Sequence, residues 1–213
     1  MAVLESGRIA ELLGPFGGVE PALSERFSVY LDLLVRWNGR TNLTSVRDPE
    51  EMVRRHFGES LFAGRLLRGV AADNATLLDF GSGAGFPGLP IQLDRPELRV
   101  TLAESQNKKA TFLREAVRTL GLSTEVFGGR VETMPAERTF DVVTMRAVDQ
   151  MDVALPAAQM RVAPGGILCV LTSLDAAVPE GFTLLQAEAI PGANRAVVGI
   201  YRQNDATGGG LNT

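Results

Sequence analysis

The chain has very few of the residues that build disulfides and most metal centres. Among its 213 residues there is one cysteine, Cys169, and one histidine, His56. A single cysteine excludes an intrachain disulfide and a multi-cysteine metal site. We therefore expect no metal and no histidine-based catalytic triad. Cys169 lies in the apolar run 167–171, so its expected role is to fill space in the core.

The chain also lacks a long apolar run and an excess of positive charge. No stretch approaches the roughly 18 apolar residues that span a bilayer, and residues 1–8 lack the basic and then apolar order of a signal peptide. We therefore expect a cytoplasmic protein that does not enter a membrane. The net charge of −4 argues against a surface that is basic throughout, although it leaves room for a local basic patch.

Residues 1–72 carry apolar side chains three and four positions apart, which is the spacing of amphipathic helices. Four helices are predicted. The first stops at Gly14-Pro15, the second covers 22–37 and stops at Asn38-Gly39, the third is capped by Asp48, and the fourth is the apolar stretch over 61–67. We expect these helices to form an N-terminal extension that packs on the main domain, which we place at residues 73–202.

From Ala75 onward, short apolar runs alternate with helix-like stretches. The predicted strands cover 76–80, 99–103, 124–127, 140–145 and 166–172, and the helices cover 89–93, 107–120 and 153–162. This alternation predicts an α/β fold with a mostly parallel sheet and helices on both faces. Two further strands, over 183–190 and 196–202, are expected to form an antiparallel hairpin at one edge. The polar, glycine-rich tail over 203–213 is expected to be disordered.

The stretch from Leu77 to Gly88 is typical of a buried strand followed by a glycine-rich turn and the start of a helix. That order is how α/β proteins hold a nucleotide-like ligand at the carboxyl end of a strand. Gly81, Gly83 and Gly85 lack a Cβ, so the backbone can turn sharply and a ligand can approach it. The segment from Gly83 to Gly88 also spells G-x-G-x-x-G, the fingerprint of dinucleotide binding.

Three features favour S-adenosylmethionine over a dinucleotide. Asp79 stands at the end of the strand, where a carboxylate suits the amino group of a sulfonium amino acid and would not help a pyrophosphate. Counted from Gly81, the first turn glycine, the sixth residue is Phe86 rather than glycine or alanine, and Pro87 follows it. Glu132, after the third strand, adds a further acid. An oxidoreductase remains a distant alternative.

Glu104 ends the second strand, about 20 residues beyond the glycine-rich turn. An acid at that position can accept hydrogen bonds from ribose hydroxyls, which both cofactors carry. The competing interpretation is that Glu104 caps the following helix.

Arg146 ends the fourth strand, where a methyl acceptor usually sits. Its guanidinium can bind a carboxylate, a phosphate or a guanine edge. The alternative is a surface arginine paired with a carboxylate. An acceptor such as guanine N7 already has a free lone pair, so positioning can be the main catalytic device.

Motifs in both halves of the chain together resemble the bacterial ribosomal RNA small subunit methyltransferase G family. The matching segments are WNGRTNLTSVRDP at 37–49, RH at 55–56, DFGSGAGFPG at 79–88, ES at 104–105, KK at 108–109, FL at 112–113, RVE at 130–132 and MRA at 145–147. The resemblance implies a Rossmann-like class I methyltransferase that uses S-adenosylmethionine to methylate guanine N7 in 16S ribosomal RNA of the small ribosomal subunit. We expect it to be a monomer.

The same resemblance implies roles for individual residues. The residues implied to touch the cofactor are Gly81, Phe86, Val131, Glu132 and Arg146, and the reasoning above adds Asp79, Gly83, Gly85 and Glu104. The basic residues implied around the acceptor, and hence in catalysis, are Lys108, Arg146 and Arg195. Lys108 and its neighbour Lys109 are the only lysines of the chain.

The chain departs from the family pattern after the fifth strand, where Thr172-Ser173 replaces a Lys-Gly pair. This departure leaves two alternatives open, a methyltransferase with a small-molecule acceptor and a binding module without catalysis. RNA binding also needs basic contacts to phosphate. The candidates in the extension are Arg36, Arg40, Arg47, Arg54 and Arg55.

Overall fold

The computed structural model describes residues 2–146, 151–174 and 176–204, with only the backbone at positions 151 and 152. The strands are β1 Thr76–Phe80, β2 Arg99–Ala103, β3 Glu125–Phe127, β4 Phe140–Arg146, β5 Val162–Ser173, β6 Phe182–Ala189 and β7 Ala196–Gln203. They form one sheet in the order β3-β2-β1-β4-β5-β7-β6. β1 to β5 run parallel, and β7 lies antiparallel between β5 and β6. The predicted α/β sheet with an antiparallel hairpin at one edge is therefore confirmed.

The strand order places a crevice in the middle of this sheet. From β1 the chain first builds outward to β2 and β3, and then returns to add β4 on the other side of β1. Where the order reverses in this way, the loops after the two central strands diverge and leave room for a ligand. The carboxyl ends of β1 and β4 are therefore the expected location of the site.

The helices are α1 Ser6–Leu13, α2 Pro21–Thr41, α3 Pro49–Met52, α4 Glu59–Leu66, α5 Gly88–Asp94, α6 Asn107–Thr119 and α7 Met151–Gln159. Asp48 caps α3 as predicted, because its Oδ1 accepts a hydrogen bond from the Glu51 N–H at 2.8 Å. The segments predicted as separate third and fourth helices are in fact continuous. Six residues, Val53–Gly58, join them as a π-helix.

The prediction that Asn38-Gly39 ends the second helix is wrong, since α2 continues to Thr41. The Asn38 side chain reaches the loop beyond the helix, where its Nδ2 donates to the Val46 carbonyl and its Oδ1 accepts from the Thr44 N–H. The helix stops at Asn42, whose φ of 49° is left-handed, a conformation that asparagine tolerates better than most residues.

The fifth strand starts at Val162, four residues before its predicted start at 166. Val162 pairs with Phe140 across a register irregularity, and the regular pairing resumes at Val142 and Ile167. Pro164-Gly165-Gly166 lies within that irregularity, so a sequence that reads as a turn is carried inside the strand. The helix before it accordingly ends at Gln159 rather than at 162.

Alternating side chains of the strands enter two cores, one on each face of the sheet. Leu77 belongs to one buried cluster and its neighbour Leu78 to the other. The first cluster also contains Phe27 and Phe57 of the extension, so the extension and this face of the sheet share one core. Cys169 is fully buried in that cluster, as predicted.

At the end of the chain, Gln203 is still part of β7, so the predicted tail over 203–213 begins too early. The rest of that prediction concerns residues 205–213, which lie outside the described residues. Within the described residues, no helix is long and apolar enough to cross a membrane.

Candidate active site

The glycine loop, residues 81–88, leaves β1 and returns as α5. Gly81, Gly83 and Gly85 have φ values of 69°, 57° and 90°, which side chains other than glycine rarely adopt. A Cβ on Gly83 would meet only the Gly81 carbonyl, at 3.9 Å, whereas a Cβ on Gly85 would lie 2.5 Å from Leu89 Cδ1. The loop therefore presents open space at Gly83 and packs tightly against the protein at Gly85.

Asp79 holds this loop from beneath. Its side chain is fully buried, with Oδ2 accepting from the Gly88 N–H at 3.1 Å and Oδ1 accepting from the Thr144 hydroxyl at 3.0 Å. Both carboxylate oxygens thus already have donors within the protein. These hydrogen bonds fix the start of α5 and the neighbouring strand β4 around Asp79, so Asp79 organises the loop. The predicted contact with a ligand amino group remains a prediction.

Glu104 ties the second strand to the same loop. Its Oε2 accepts from the Gly83 N–H at 2.9 Å, and its Oε1 accepts from the Gln106 N–H at 2.7 Å. The residue is 6% exposed, and each oxygen keeps a second lone pair. The predicted hydrogen bonds to ribose hydroxyls remain a prediction that these lone pairs allow.

A cleft of about 250 Å³ opens beside the loop and is called here the glycine-loop cleft. Its lining residues are Phe80, Gly81, Ala103, Ser105, Gly129, Arg130, Val131, Glu132, Val153 and Ala154. The buried guanidinium of Arg161 donates to the Val131, Met134 and Pro135 carbonyls. Arg161, which the sequence patterns did not single out, thereby holds the short turn that carries Val131 and Glu132.

Phe86, predicted to touch the cofactor, points its side chain away from this cleft. The ring stacks on Tyr30 and on His56, with centroid distances of 5.4 and 5.0 Å, and meets Phe57 edge-on. It is 8% exposed within this aromatic cluster. A cofactor contact at Phe86 would therefore have to come from its backbone.

A second cleft, of about 400 Å³, lies beyond the end of β4 and is called here the arginine cleft. Its lining residues are Arg55, Glu59, Arg146, Leu171, Thr172, Ser173, Ile190, Asn194, Arg195 and Ala196. Arg146 is mostly buried there, with Nη2 lying 3.3 Å from Glu59 Oε2. Burial lowers the pKa of Arg146 and raises that of Glu59.

The structure brings two of the three predicted catalytic residues together. Arg146 and Arg195 line the arginine cleft, and Thr172-Ser173, the departure from the family pattern, lines it with them. Lys108 is exposed in the first turn of α6, after β2, and lines neither cleft. Its predicted place beside the acceptor remains untested.

His56 contacts a predicted site residue, although sequence reasoning did not place it in the site. It lies on the π-helix, where its Nδ1 is 2.9 Å from Arg146 Nη2. Burial, followed by the charge of Arg146, lowers its pKa to about 3. The available signal was its place in the Arg55-His56 motif, but no local pattern indicates a contact with a residue 90 positions away.

The arginines proposed for RNA contacts differ in how far they are engaged. Arg54 pairs with Glu50 at 2.8 Å, and Arg55 pairs with Glu51 at 3.5 Å. The other three are Arg47, whose Nη1 donates to the Asn38 carbonyl, and Arg36 and Arg40, which line a third cleft beside Trp37. Exposed ion pairs contribute little to stability, so these side chains can exchange partners at low cost. No cluster of three metal-ligating side chains is found in the described part of the chain.

Asp79 and His56 affect acid stability in opposite directions. Burial raises the pKa of Asp79 from 3.8 to about 6, and the pKa of His56 falls from 6.5 to about 3. Between pH 6.5 and 3 the unfolded chain binds a proton at His56 and the folded chain does not, so acid destabilises the fold. Between pH 6 and 3.8 the folded chain binds a proton at Asp79 that the unfolded chain lacks, so acid stabilises it. The two contributions nearly cancel between about pH 4 and 6.

Asp79→Asn removes the acid stabilisation that comes from Asp79 and leaves the acid destabilisation that comes from His56. We expect the free energy of unfolding to fall, relative to the natural chain, by up to about 1.4 kcal/mol for each pH unit between 6 and 4. Urea unfolding at pH 4, 5 and 6 measures the difference. Asp73→Asn, at an exposed aspartate, serves as the control. Parallel pH profiles for the natural chain and Asp79→Asn would contradict the opposing roles.

The chain is similar in sequence to proteins of one known family. A model of the family described as rRNA small subunit methyltransferase G matches residues 23–177. A ribosomal RNA small subunit methyltransferase G from Xanthomonas euvesicatoria pv. vesicatoria is 38% identical over 92% of this chain and 93% of its own length. One from Stenotrophomonas maltophilia is 42% identical over 72% of this chain and 71% of its own.

Solved structures show the same fold at lower sequence identity. P. horikoshii TYW2, crystallised in complex with MeSAdo, aligns with a TM-score of 0.57 and 17% identity over 71% of this chain and 63% of its own. Thermus thermophilus TrmN aligns with a TM-score of 0.56 and 22% identity over 71% and 53%. The family model covers most of the chain, and the solved structures share its fold. The chain therefore belongs to the rRNA small subunit methyltransferase G family.

Proposed function

We propose that this methyltransferase uses S-adenosylmethionine to methylate guanine N7 in 16S ribosomal RNA of the small ribosomal subunit, acting as a cytoplasmic monomer. The observation that carries the proposal is the pair of clefts at the carboxyl ends of β1 and β4. One is lined by Gly81 of the glycine loop and by Glu132, and the other is lined by arginines. The family membership and the names of the relatives support the same substrate.

The glycine-loop cleft fits the proposed cofactor. The open space at Gly83 allows a ligand to approach the backbone, and Glu132 lines the cleft beyond the third strand. Glu104 keeps lone pairs for ribose hydroxyls beside the loop that it braces. S-adenosylmethionine would supply an electrophilic methyl group on a sulfonium sulfur. That the TYW2 neighbour was crystallised with MeSAdo is in keeping with such a ligand on this fold.

The arginine cleft fits a guanine acceptor. Arginine is the residue that most often reads the O6 and N7 edge of guanine, and Arg146 and Arg195 both line this cleft. Arg146 would donate to O6 and leave N7 free. Because the N7 lone pair needs no deprotonation, the task of these residues is to place the base in line with the methyl group.

The second candidate is methyl transfer to a small molecule. It is favoured by one observation, that uncharged Thr172 and Ser173 line the arginine cleft. The family resemblance implies a Lys-Gly pair at these two positions. A missing cation matters most for a substrate that carries many phosphates.

The test compares 16S ribosomal RNA from cells with and without this gene by mass mapping of 7-methylguanine. We expect one 7-methylguanine to be lost without the gene, and purified protein with S-adenosylmethionine to restore it in isolated small subunits. If cofactor-saturated protein transferred no methyl group to these subunits, the ribosomal substrate would be wrong. Transfer to a metabolite extract free of RNA would then favour the second candidate.

A further inference from the structure

The N-terminal extension places a side chain directly against Arg146. The Nδ1 of His56 lies 2.9 Å from Arg146 Nη2. Arg146 Nη2 also lies 3.3 Å from Glu59 Oε2. A guanidinium can only donate hydrogen bonds. The Nδ1 of His56 must therefore be the acceptor, and the ring must carry its proton on Nε2.

The other side of the ring agrees with this tautomer. The Nε2 lies 2.8 Å from the Thr44 hydroxyl oxygen, so its N–H donates there. Thr44 is itself fixed, because its N–H donates to Asn38 Oδ1 at 2.9 Å. The ring face stacks on Phe86. Asn38, Thr44 and His56 thus form a chain of contacts that begins in α2 and ends at Arg146.

These contacts leave one nitrogen of the Arg146 guanidinium without a hydrogen bond in the described part of the chain. Nη2 is shared by His56 and Glu59, whereas Nη1 is buried and has no hydrogen-bond partner among the described residues. A buried donor without a partner destabilises the protein, and an acceptor atom on a ligand would remove that cost. Arg146 lines the arginine cleft, where the acceptor base is expected.

We propose that His56 is a positioning residue. As the neutral Nε2–H tautomer it acts with Glu59 to hold Arg146 Nη2, so that Nη1 is presented to the methyl acceptor. This rests on the proposed function for the identity of the acceptor, but the tautomer and the contact do not. The extension then completes the site, and the motif residues Asn38 and Thr44 acquire a role in it.

The surroundings keep the ring neutral. The charged side chains that act on it are Arg146 and Arg55, and Glu59 pairs with Arg146; a third positive charge beside the two arginines would be repelled. Burial acts in the same direction, which is why the pKa lies far below its usual range. π-helical turns occur often at functional sites, and His56 lies on one.

Because His56 is the only histidine of the chain, its ring nitrogens can be read without assignment. Nitrogen NMR of the ¹⁵N-labelled full chain, free of any histidine tag, is expected to show a neutral ring with the proton on Nε2 and no titration between pH 5 and 8. Thr44→Val, which removes the Nε2 acceptor, is expected to raise the share of the other tautomer. A proton on Nδ1, or titration near pH 6.5, would overturn the proposal.

Two substitutions of His56 distinguish the role of its hydrogen-bond acceptor from the role of its ring. His56→Phe keeps the stacking on Phe86 and removes the acceptor, so we expect kcat on small subunits to fall about 10- to 100-fold. The Kd for S-adenosylmethionine should change less than about threefold, since His56 does not line the glycine-loop cleft. His56→Asn supplies a carbonyl oxygen in place of Nδ1 and should recover part of kcat.

A kcat for His56→Phe equal to that of the natural chain would refute the positioning role. So would equal losses of kcat in the two variants, because a positioning role requires the asparagine to do better. If the natural chain itself transfers no methyl group to small subunits, the proposed substrate fails, while the NMR result still decides the tautomer and the contact.

Discussion

Arg146→Met is expected to slow methyl transfer to the small subunit at least about 100-fold, because a misplaced acceptor base loses most of the benefit of orientation. Arg146 ends β4 next to β1, and its unused Nη1 is the donor proposed to meet the base. The family resemblance implies that Arg146 also touches the cofactor, but Arg146 lines the arginine cleft and not the glycine-loop cleft, so we expect the affinity for S-adenosylmethionine to change little. Calorimetry with the cofactor and single-turnover methylation of small subunits measure the two effects.

The substitution also leaves the partly buried Glu59 beside a neutral side chain. Removing one partner of a buried ion pair commonly costs about 3–5 kcal/mol, so a loss of activity alone does not distinguish a misplaced acceptor from an unfolded protein. The double variant Glu59→Gln/Arg146→Met removes the stranded charge and should recover stability without recovering activity. Arg68→Met, at an exposed arginine paired with Asp94, is the matched control and should remain active. Rapid methylation by the folded double variant would exclude the proposed role of Arg146.

Gly85→Ala is expected to destabilise the protein through both backbone strain and close contacts in the glycine loop. Its φ of 90° is left-handed, and the new Cβ would lie 2.5 Å from both Leu89 Cδ1 and the Tyr30 hydroxyl. That hydroxyl donates to the Ala84 carbonyl inside the loop, so it has little freedom to move. Backbone strain of about 1–2 kcal/mol and overpacking of about 1–3 kcal/mol together predict a melting temperature roughly 10 °C lower.

Two other glycines separate these contributions. Gly121 has a φ of 61° and nothing within 4 Å of the new Cβ, so Gly121→Ala should show the strain alone and lower the melting temperature by a few degrees. Gly83→Ala should cost stability to a similar extent, because its Cβ meets only one atom at 3.9 Å. It should, however, weaken S-adenosylmethionine binding, since the methyl group would occupy the open space on the loop. Equal melting temperatures for Gly85→Ala and Gly121→Ala would show that the contact with Tyr30 is harmless.

The parallel sheet, its antiparallel edge and the glycine loop were predictable because each depends on neighbouring residues. Buried strands of a parallel sheet read as short apolar runs, and the φ values at Gly81, Gly83 and Gly85 require the residue that stands there. The location of Arg146 at the carboxyl edge of the sheet was also predictable, since it is the last residue of β4. The roles proposed for these residues toward ligands remain predictions.

Contacts between distant parts of the chain were decided only by the tertiary structure. The spacing of the sequence ended α2 at Asn38-Gly39, but hydrogen bonds from Asn38 to the loop beyond the helix let α2 continue. Phe86 belongs to the loop motif, yet its ring packs on Tyr30 and His56 of the extension. Neither outcome has a local signal, because the partners come from other elements.

The motifs and periods of the sequence by themselves determined the family, the sheet and the loop that a cofactor would need. The fold alone decided which charges meet. It separated Lys108 from the arginine cleft and gathered Arg146, Arg195 and Thr172-Ser173 into it. It also placed His56 against Arg146 from 90 positions away. Periodicity reports which face of an element is buried, whereas the pairing of buried polar groups depends on how elements pack, and the proposed acceptor site is made of such pairs.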